Sequence, residues 1–193
     1  MAGRPDPGAL SAARGTLLAV DGVNGVAVED AARDLAKRNR RRRAAVSSWD
    51  ASGIFGELTI AEETAGLPSA RTLLLLYAAD LAFRLRWEVK PALDEGRMVI
   101  VAPYVHTAVA FGRAAGLDAR SLSEMFAFAP TPDEVHVVDV AAARSLSDRT
   151  GFVEFGSDQL LGASTKSVRR DLRIRAARTL KTIAVVKSKK VGS

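Results

Sequence analysis

Between Gly15 and Ser48 a short apolar run, a helical pattern and a second short apolar run follow one another with little spare chain, and that order leaves few folds open. The first run, Gly-Thr-Leu-Leu-Ala-Val-Asp at 15–21, is closed by an acid and a glycine and reads as a strand buried on both faces. After a loop at 22–25, Val28, Ala31, Ala32, Leu35 and Ala36 recur at helical spacing. Arg40 to Arg43 then lead into the second run, Ala44 to Ser48. Such a β-α-β unit lays its helix over a parallel sheet by a right-handed crossover, and it puts ligands at the carboxyl ends of the strands.

The rest of the chain repeats the alternation. Ala51 to Thr64 includes a short helix, and Ser69 to Leu93 forms a long one, with Ser69 as its cap and Pro91 as an early stop in its last turns. Arg97 to Val101 is a third buried strand, Thr107 to Ala115 and Ser121 to Phe128 are helices, and Glu134 to Val140 is a fourth strand. Ala141 to Ser147 starts a helix, Lys166 to Leu180 forms a basic one, and Thr182 to Val186 closes the sheet as a fifth strand. The expected fold class is α/β, a three-layer doubly wound sandwich around a five-stranded parallel sheet. One domain over 15–187 is expected, with a flexible N-terminal segment at 1–14 and a basic tail at 188–193.

Composition narrows the function classes. At 193 residues the chain can bury a core without metals or disulfides, and it has no cysteine for thiolate ligands or nucleophiles. No apolar stretch reaches the roughly 18 to 20 residues that cross a bilayer, so no membrane association is expected. Met1 to Arg14 lacks the apolar centre of a signal peptide, which makes cytoplasmic residence the expectation. His106 and His136 follow no metal-ligand spacing, and no metal site is expected. The net charge of +6 is concentrated in Arg40, Arg41, Arg42 and Arg43 and in Lys166 to Lys190, where Asp171 is the single acid. Arg169, Arg170 and Arg173, with the arginine run, are candidates for a polyanion surface that would bind nucleic acid weakly. The alternative is a solvated helix face, with Val168, Leu172, Ala176 and Leu180 as its buried side.

A family resemblance enters at Asp21-Gly-Val-Asn-Gly-Val-Ala-Val-Glu-Asp30, which resembles the phosphate-binding loop of a thymidylate kinase, a P-loop nucleoside monophosphate kinase. Leu74 to Leu93 is similar to that family's long helix, with its alanine-aspartate step and closing Lys-Pro-Ala-Leu. Glu95 to Tyr104 resembles the strand that ends in Asp-Arg-Tyr, Pro132 to Val140 the Pro-Asp-Leu-Thr strand, and Gly53-Ile-Phe-Gly-Glu57 the segment after the second strand. The likeness runs from about Gly15 to Arg149.

The resemblance also exposes what is missing. In a phosphate loop, glycines let backbone N–H groups converge on phosphates, a lysine reaches the β and γ oxygens, and a hydroxyl ligates magnesium. Gly22 and Gly25 remain here. Ala27 stands at the last glycine, Val28 at the lysine, Glu29 at the hydroxyl, and Asn24 at an acid facing the acceptor. Ala102-Pro103-Tyr104 replaces Asp-Arg-Tyr, while Ser48 and Leu81 replace two further arginines. Phosphoryl transfer depends on positioning and charge neutralisation, so no catalytic residue is assigned and ATP and magnesium are not expected as cofactors. Tyr77, Phe111 and Tyr104 fall where the family lines its base pocket, although helix aromatics also serve as core. Thr150 to Ser157 takes the place of the family's lid without an arginine, leaving Arg144 and Arg149 as the nearest cations. The resemblance implies a homodimer through helices that include the long middle one. The reading is a kinase-like protein that has lost phosphoryl transfer and binds an unknown protein partner. The alternatives are an active nucleoside monophosphate kinase with an atypical ATP site and a nucleic-acid-associated protein.

Overall fold

The computed structural model describes residues 15–138, 151–161 and 166–190, with the side chains of 60–65 and 184–190 outside that description. Strand β1 (Thr16–Asp21) leads into helix α1 (Gly25–Arg38), and β2 (Ala45–Ser48) completes the first β-α-β unit. Helices α2 (Ile54–Ala65) and α3 (Ala70–Arg84) follow. A π-helical turn, Leu85–Val89, then joins α3 to α4 (Lys90–Asp94) without a break. Pro91 does not stop the helix early, because it follows directly on the π-helical turn, where the widened backbone ladder accommodates a residue that has no N–H to donate. Next come β3 (Met98–Ala102), α5 (Val105–Ala114), α6 (Ala119–Met125), β4 (Glu134–Val137), α7 (Phe152–Leu161) and α8 (Lys166–Lys190).

The sheet is parallel, with strand order β2-β3-β1-β4. Because side chains alternate across a strand, each of the two central strands serves two cores. Leu18, Val20, Ile100 and Met98 face α1, where Val28 and Ala32 meet them. Leu17, Ala19, Val99 and Val101 face the other way and pack with residues of α3, α5, α7 and α8. The result is the expected three-layer α/β sandwich, with helices on both sides of the sheet. Gly15 is required at the base of β1, since a Cβ there would lie 2.5 Å from Leu93 Cα.

Four strands, not five, are present among the described residues. Thr182–Val186 belongs to α8, which also runs on through the segment expected as a tail, to Lys190. Leu172, Ala176 and Leu180 are buried at i, i+4 and i+8, and this docked stripe carries the helix forward with no glycine or proline to end it. Val168, expected on the same stripe, is instead 45% exposed. The segment Ala141–Ser147 and residues 139–140 of the expected fourth strand lie outside the described residues. Among the described residues, no helix is long and apolar enough to cross a membrane.

Candidate functional site

At the carboxyl end of β1, Asp21 and the loop before α1 build the centre of the site. Asp21 is fully buried, and its Oδ1 accepts from Tyr104 N at 2.9 Å, Thr107 N at 3.0 Å and Thr107 Oγ1 at 2.7 Å. The carboxylate thereby satisfies amides at the start of α5 that no intrahelical carbonyl can reach. Thr107 Oγ1 in turn accepts from Gly22 N at 3.1 Å. Asn24 caps α1, its side-chain oxygen accepting from Ala27 N at 2.9 Å while its carbonyl accepts from Val28 N at 3.0 Å. Gly25 N donates to Glu154 Oε1, 3.1 Å away on α7. The N–H groups of Gly22, Gly25, Ala27 and Val28 are therefore all bonded within the chain.

Val28 is 2% exposed and packs with the second core, its methyl group so close to Gly22 that a Cβ there would lie 2.6 Å from it. Glu29 turns outward and pairs with Arg33 one turn along α1. Next to the loop is a cavity of about 300 Å³, bordered by Gly22, Gly25, Ser48, Ala102, Pro103 and the start of α7. Among the described residues, its charged lining is Glu29, Asp50 and Glu154, without a lysine or arginine. Such a surface repels a polyphosphate, and each like-charge contact at about 4 Å costs on the order of 1 to 4 kcal/mol depending on solvent access. Among the described residues, no group of His, Asp and Glu is arranged to hold a metal ion.

Two of the residues expected to line a base pocket pack against other rings. Tyr77 and Phe111 are fully buried, and Phe152 lies between them, with ring centroids 4.4 Å from Tyr77 and 5.1 Å from Phe111. Trp49, Phe55 and Phe155 extend the same cluster. Tyr77 donates to Tyr104 O at 2.8 Å, and Tyr104 donates to Pro130 O at 2.7 Å, so both hydroxyls serve the backbone. Burial raises the pKa of both phenols and holds them protonated. None of Tyr77, Phe111 and Tyr104 borders the cavity. The ring between Tyr77 and Phe111, that of Phe152, comes from the stretch 150–157, expected at the position of the family's lid.

The candidate polyanion surface divides into two unlike parts. Arg40–Arg42 form a 3-10 turn, and Arg40 to Arg43 are exposed. Arg42 donates to Thr16 Oγ1 at 2.8 Å and Arg97 Nε to Arg43 O at 3.3 Å, which places the run at the amino end of the sheet, opposite the loop. On α8, Arg169 and Arg173 both bind Asp158 of α7, at 3.2 and 3.1 Å, and Arg173 also donates to Glu154 O. Those two arginines clamp α7 by sharing the one carboxylate of Asp158, which leaves a net charge of +1 on the trio. Arg170 is exposed. Arg144 and Arg149 lie outside the described residues.

No family model matches the chain. It is 31% identical to the thymidylate kinase of Xylella fastidiosa (strain M12) over 134 residues, 68% of this chain and 62% of that protein. A probable thymidylate kinase of Pyrococcus horikoshii is 39% identical over 72 residues, 37% of this chain and 35% of that protein. The crystal structure of thymidylate kinase from Ehrlichia chaffeensis superposes with a TM-score of 0.63 at 14% identity, covering 91% of this chain and 83% of that one. The chain is a relative of the thymidylate kinases. The match spans about a third of the length of the archaeal relatives and somewhat under two thirds of the Xylella proteins. The structural likeness concerns the fold, and this thymidylate kinase relative carries its own side chains at the loop.

Glu154 is the site residue that its sequence did not reveal. It is 6% exposed, and burial pushes its carboxyl above the ordinary value of 4.5. The bonds from its own and the Gly25 amide and the nearby Arg173 pull the other way, while Asp158 adds to the rise. The native state therefore keeps this proton at pH values where the unfolded chain has released it. Stability falls as pH climbs from near 4.5 through the raised native value. Glu154→Gln keeps an oxygen for Gly25 N and has no charge to bury. Thermal unfolding across about pH 4 to 8 should show the variant gaining on the parent protein as pH rises; parallel curves would rule this out.

Proposed function

We propose that this chain is a non-catalytic member of the thymidylate kinase lineage that acts as a binding or scaffold protein and assembles as a homodimer. The observation that carries the reading is that the loop amides of Gly22, Gly25, Ala27 and Val28 are all spent on the chain's own oxygens, beside a cavity whose charged lining, among the described residues, is acidic. Catalysis of phosphoryl transfer is largely charge stabilisation by preorganised donors and cations. Among the described residues the four bonded amides offer no donor to a phosphate and no cation lines the cavity to neutralise the developing charge.

Support for a homodimer comes from the long middle helix. Leu75 and Phe83 on α3 and Trp87 in the π turn are 52%, 40% and 61% exposed, a run of large apolar side chains on one broad face. Family resemblance adds a second copy of the chain as the partner for that face. A non-catalytic dimer of this kind presents its remaining surface to a further protein partner.

One preparation tests the reading. The purified protein is expected to sediment as a dimer and to transfer no labelled phosphate from ATP to thymidine monophosphate above a protein-free control. Turnover that scales with protein concentration would make it an active kinase with an atypical ATP site, and would sink the proposal.

A further inference from the structure

Three features of one short segment converge on the loop. Glu154 projects from the first turn of α7 to the N-terminus of α1, a helix of 14 residues whose aligned peptide dipoles favour negative charge at that end. Its Oε1 accepts from Gly25 N at 3.1 Å, while Oε2 is buried with no hydrogen-bond partner among the described residues. Gly151 brings the backbone hard against the same residue, since a Cβ on Gly151 would lie 2.5 Å from Gly25 Cα. Two residues from the carboxylate, Phe152 fills the space between Tyr77 and Phe111.

We propose that residues Phe152 to Phe155 are a built-in occupant of the anion site at this loop, with the Glu154 carboxylate seated where an oxyanion would meet the α1 N-terminus and the Phe152 ring fastening the segment against Tyr77 and Phe111. The inference deepens the non-catalytic reading above and rests on its view of the loop. A carboxylate is a sound surrogate for an oxyanion here, because it offers the same charge-assisted acceptor to a backbone N–H. The covalent link makes it intramolecular, so a free anion must compete with a group held permanently at the site. Anchors on the far side keep the segment in place. Asp158 takes Arg169 and Arg173, Arg173 Nη2 donates to Glu154 O at 3.3 Å, and Gly156 admits the Phe111 ring so closely that a Cβ there would lie 2.9 Å from it. Phosphate binding is thus blocked by occupancy as well as by the missing lysine.

The proposal predicts that deleting the carboxylate exposes an anion site. Inorganic phosphate is titrated into the parent protein, Glu154→Ala and Glu154→Asp, following the Gly25 amide resonance. Glu124→Ala, which removes one exposed acid from α6, is the control for net charge. The parent protein should hold a Gly25 amide protected from solvent exchange and indifferent to phosphate. Glu154→Ala should bind phosphate at least about tenfold more tightly, as expected for freeing one charge-assisted donor. Glu154→Asp, too short to reach Gly25 N, should gain in the same direction and serves if the alanine variant does not fold. A gain no larger than that of Glu124→Ala, or an unprotected Gly25 amide in the parent protein, would overturn the proposal. Those outcomes leave the absence of phosphoryl transfer untouched, whereas turnover by the parent protein would overturn the catalytic loss without altering the Gly25 result.

Discussion

Replacing Phe152 with alanine should lower the free energy of unfolding by about 3–5 kcal/mol, the range for truncating a buried phenylalanine in a core that relaxes only partly. Phe152 is 1% exposed and lies against Tyr77, Phe111, Phe55 and Trp49. The neighbours cannot easily collapse into the void: Tyr77 is tethered to Tyr104 O, and Phe111 is pinned by Gly156. Part of the cost also comes from aromatic pair geometry beyond buried area, about 0.5–1.5 kcal/mol per pair. Equilibrium urea unfolding measures it directly, and Phe152→Leu should cost less because it keeps most of the volume. A loss for the alanine variant below about 1 kcal/mol would mean that α7 is not docked on the aromatic cluster in solution.

Asp80→Ala should be comparably damaging, at about 3–5 kcal/mol, because it strands a buried guanidinium. Asp80 and Arg84 are both fully buried, with Oδ2 and Nε 2.9 Å apart across one turn of α3. The same carboxylate accepts from Asp50 N and Ser52 N, both at 3.1 Å, and from Ser52 Oγ at 2.9 Å, so it also fixes the loop after β2. Arg84 reaches on to Pro103 O at 3.2 Å, next to the cavity. Removing both charges with Asp80→Ala and Arg84→Met should recover part of the loss, since an apolar pair avoids the desolvation cost of the ions. If the double variant is as unstable as the sum of the single ones, the two residues are not coupled.

What the sequence discloses here follows from how local the determinant is. The first β-α-β unit is legible because its signals are a buried run and a helical stripe within one window, and Ser69 was readable as a cap because its partner, Thr72 N, lies three residues on. The stripe Leu172, Ala176 and Leu180 was readable for the same reason. Thr182–Val186 was not, since a short β-branched run fits strand or helix equally, and the docked stripe upstream is what carries α8 through it. Tyr77 and Phe111 fell at pocket positions of the family, yet Phe152, a residue from a segment read as standing in place of the lid, packs against both. The pairing of Arg169 and Arg173 was not legible because Asp158, their shared partner, is on another helix. Glu154 carried one weak signal, a lone acid among Phe152, Val153 and Phe155, which asks for a buried donor without saying which.

The Gly25–Glu154 bond spans 129 residues, and this separation bears on how the protein is born. At synthesis rates of about 5–20 residues per second, the loop waits on the order of 10 seconds after leaving the ribosome before its acid emerges. The β1 strand also waits, since β3 must arrive to lie between it and β2. During that interval Tyr77, Phe111 and Trp49 meet water or a chaperone, and the Gly25 amide meets water alone. The last hundred-odd angstroms of extended chain, which carry α7 and α8, are thus what covers the second face of a nascent sheet, and a ribosome that stalls before Gly151 leaves that face open to any apolar neighbour.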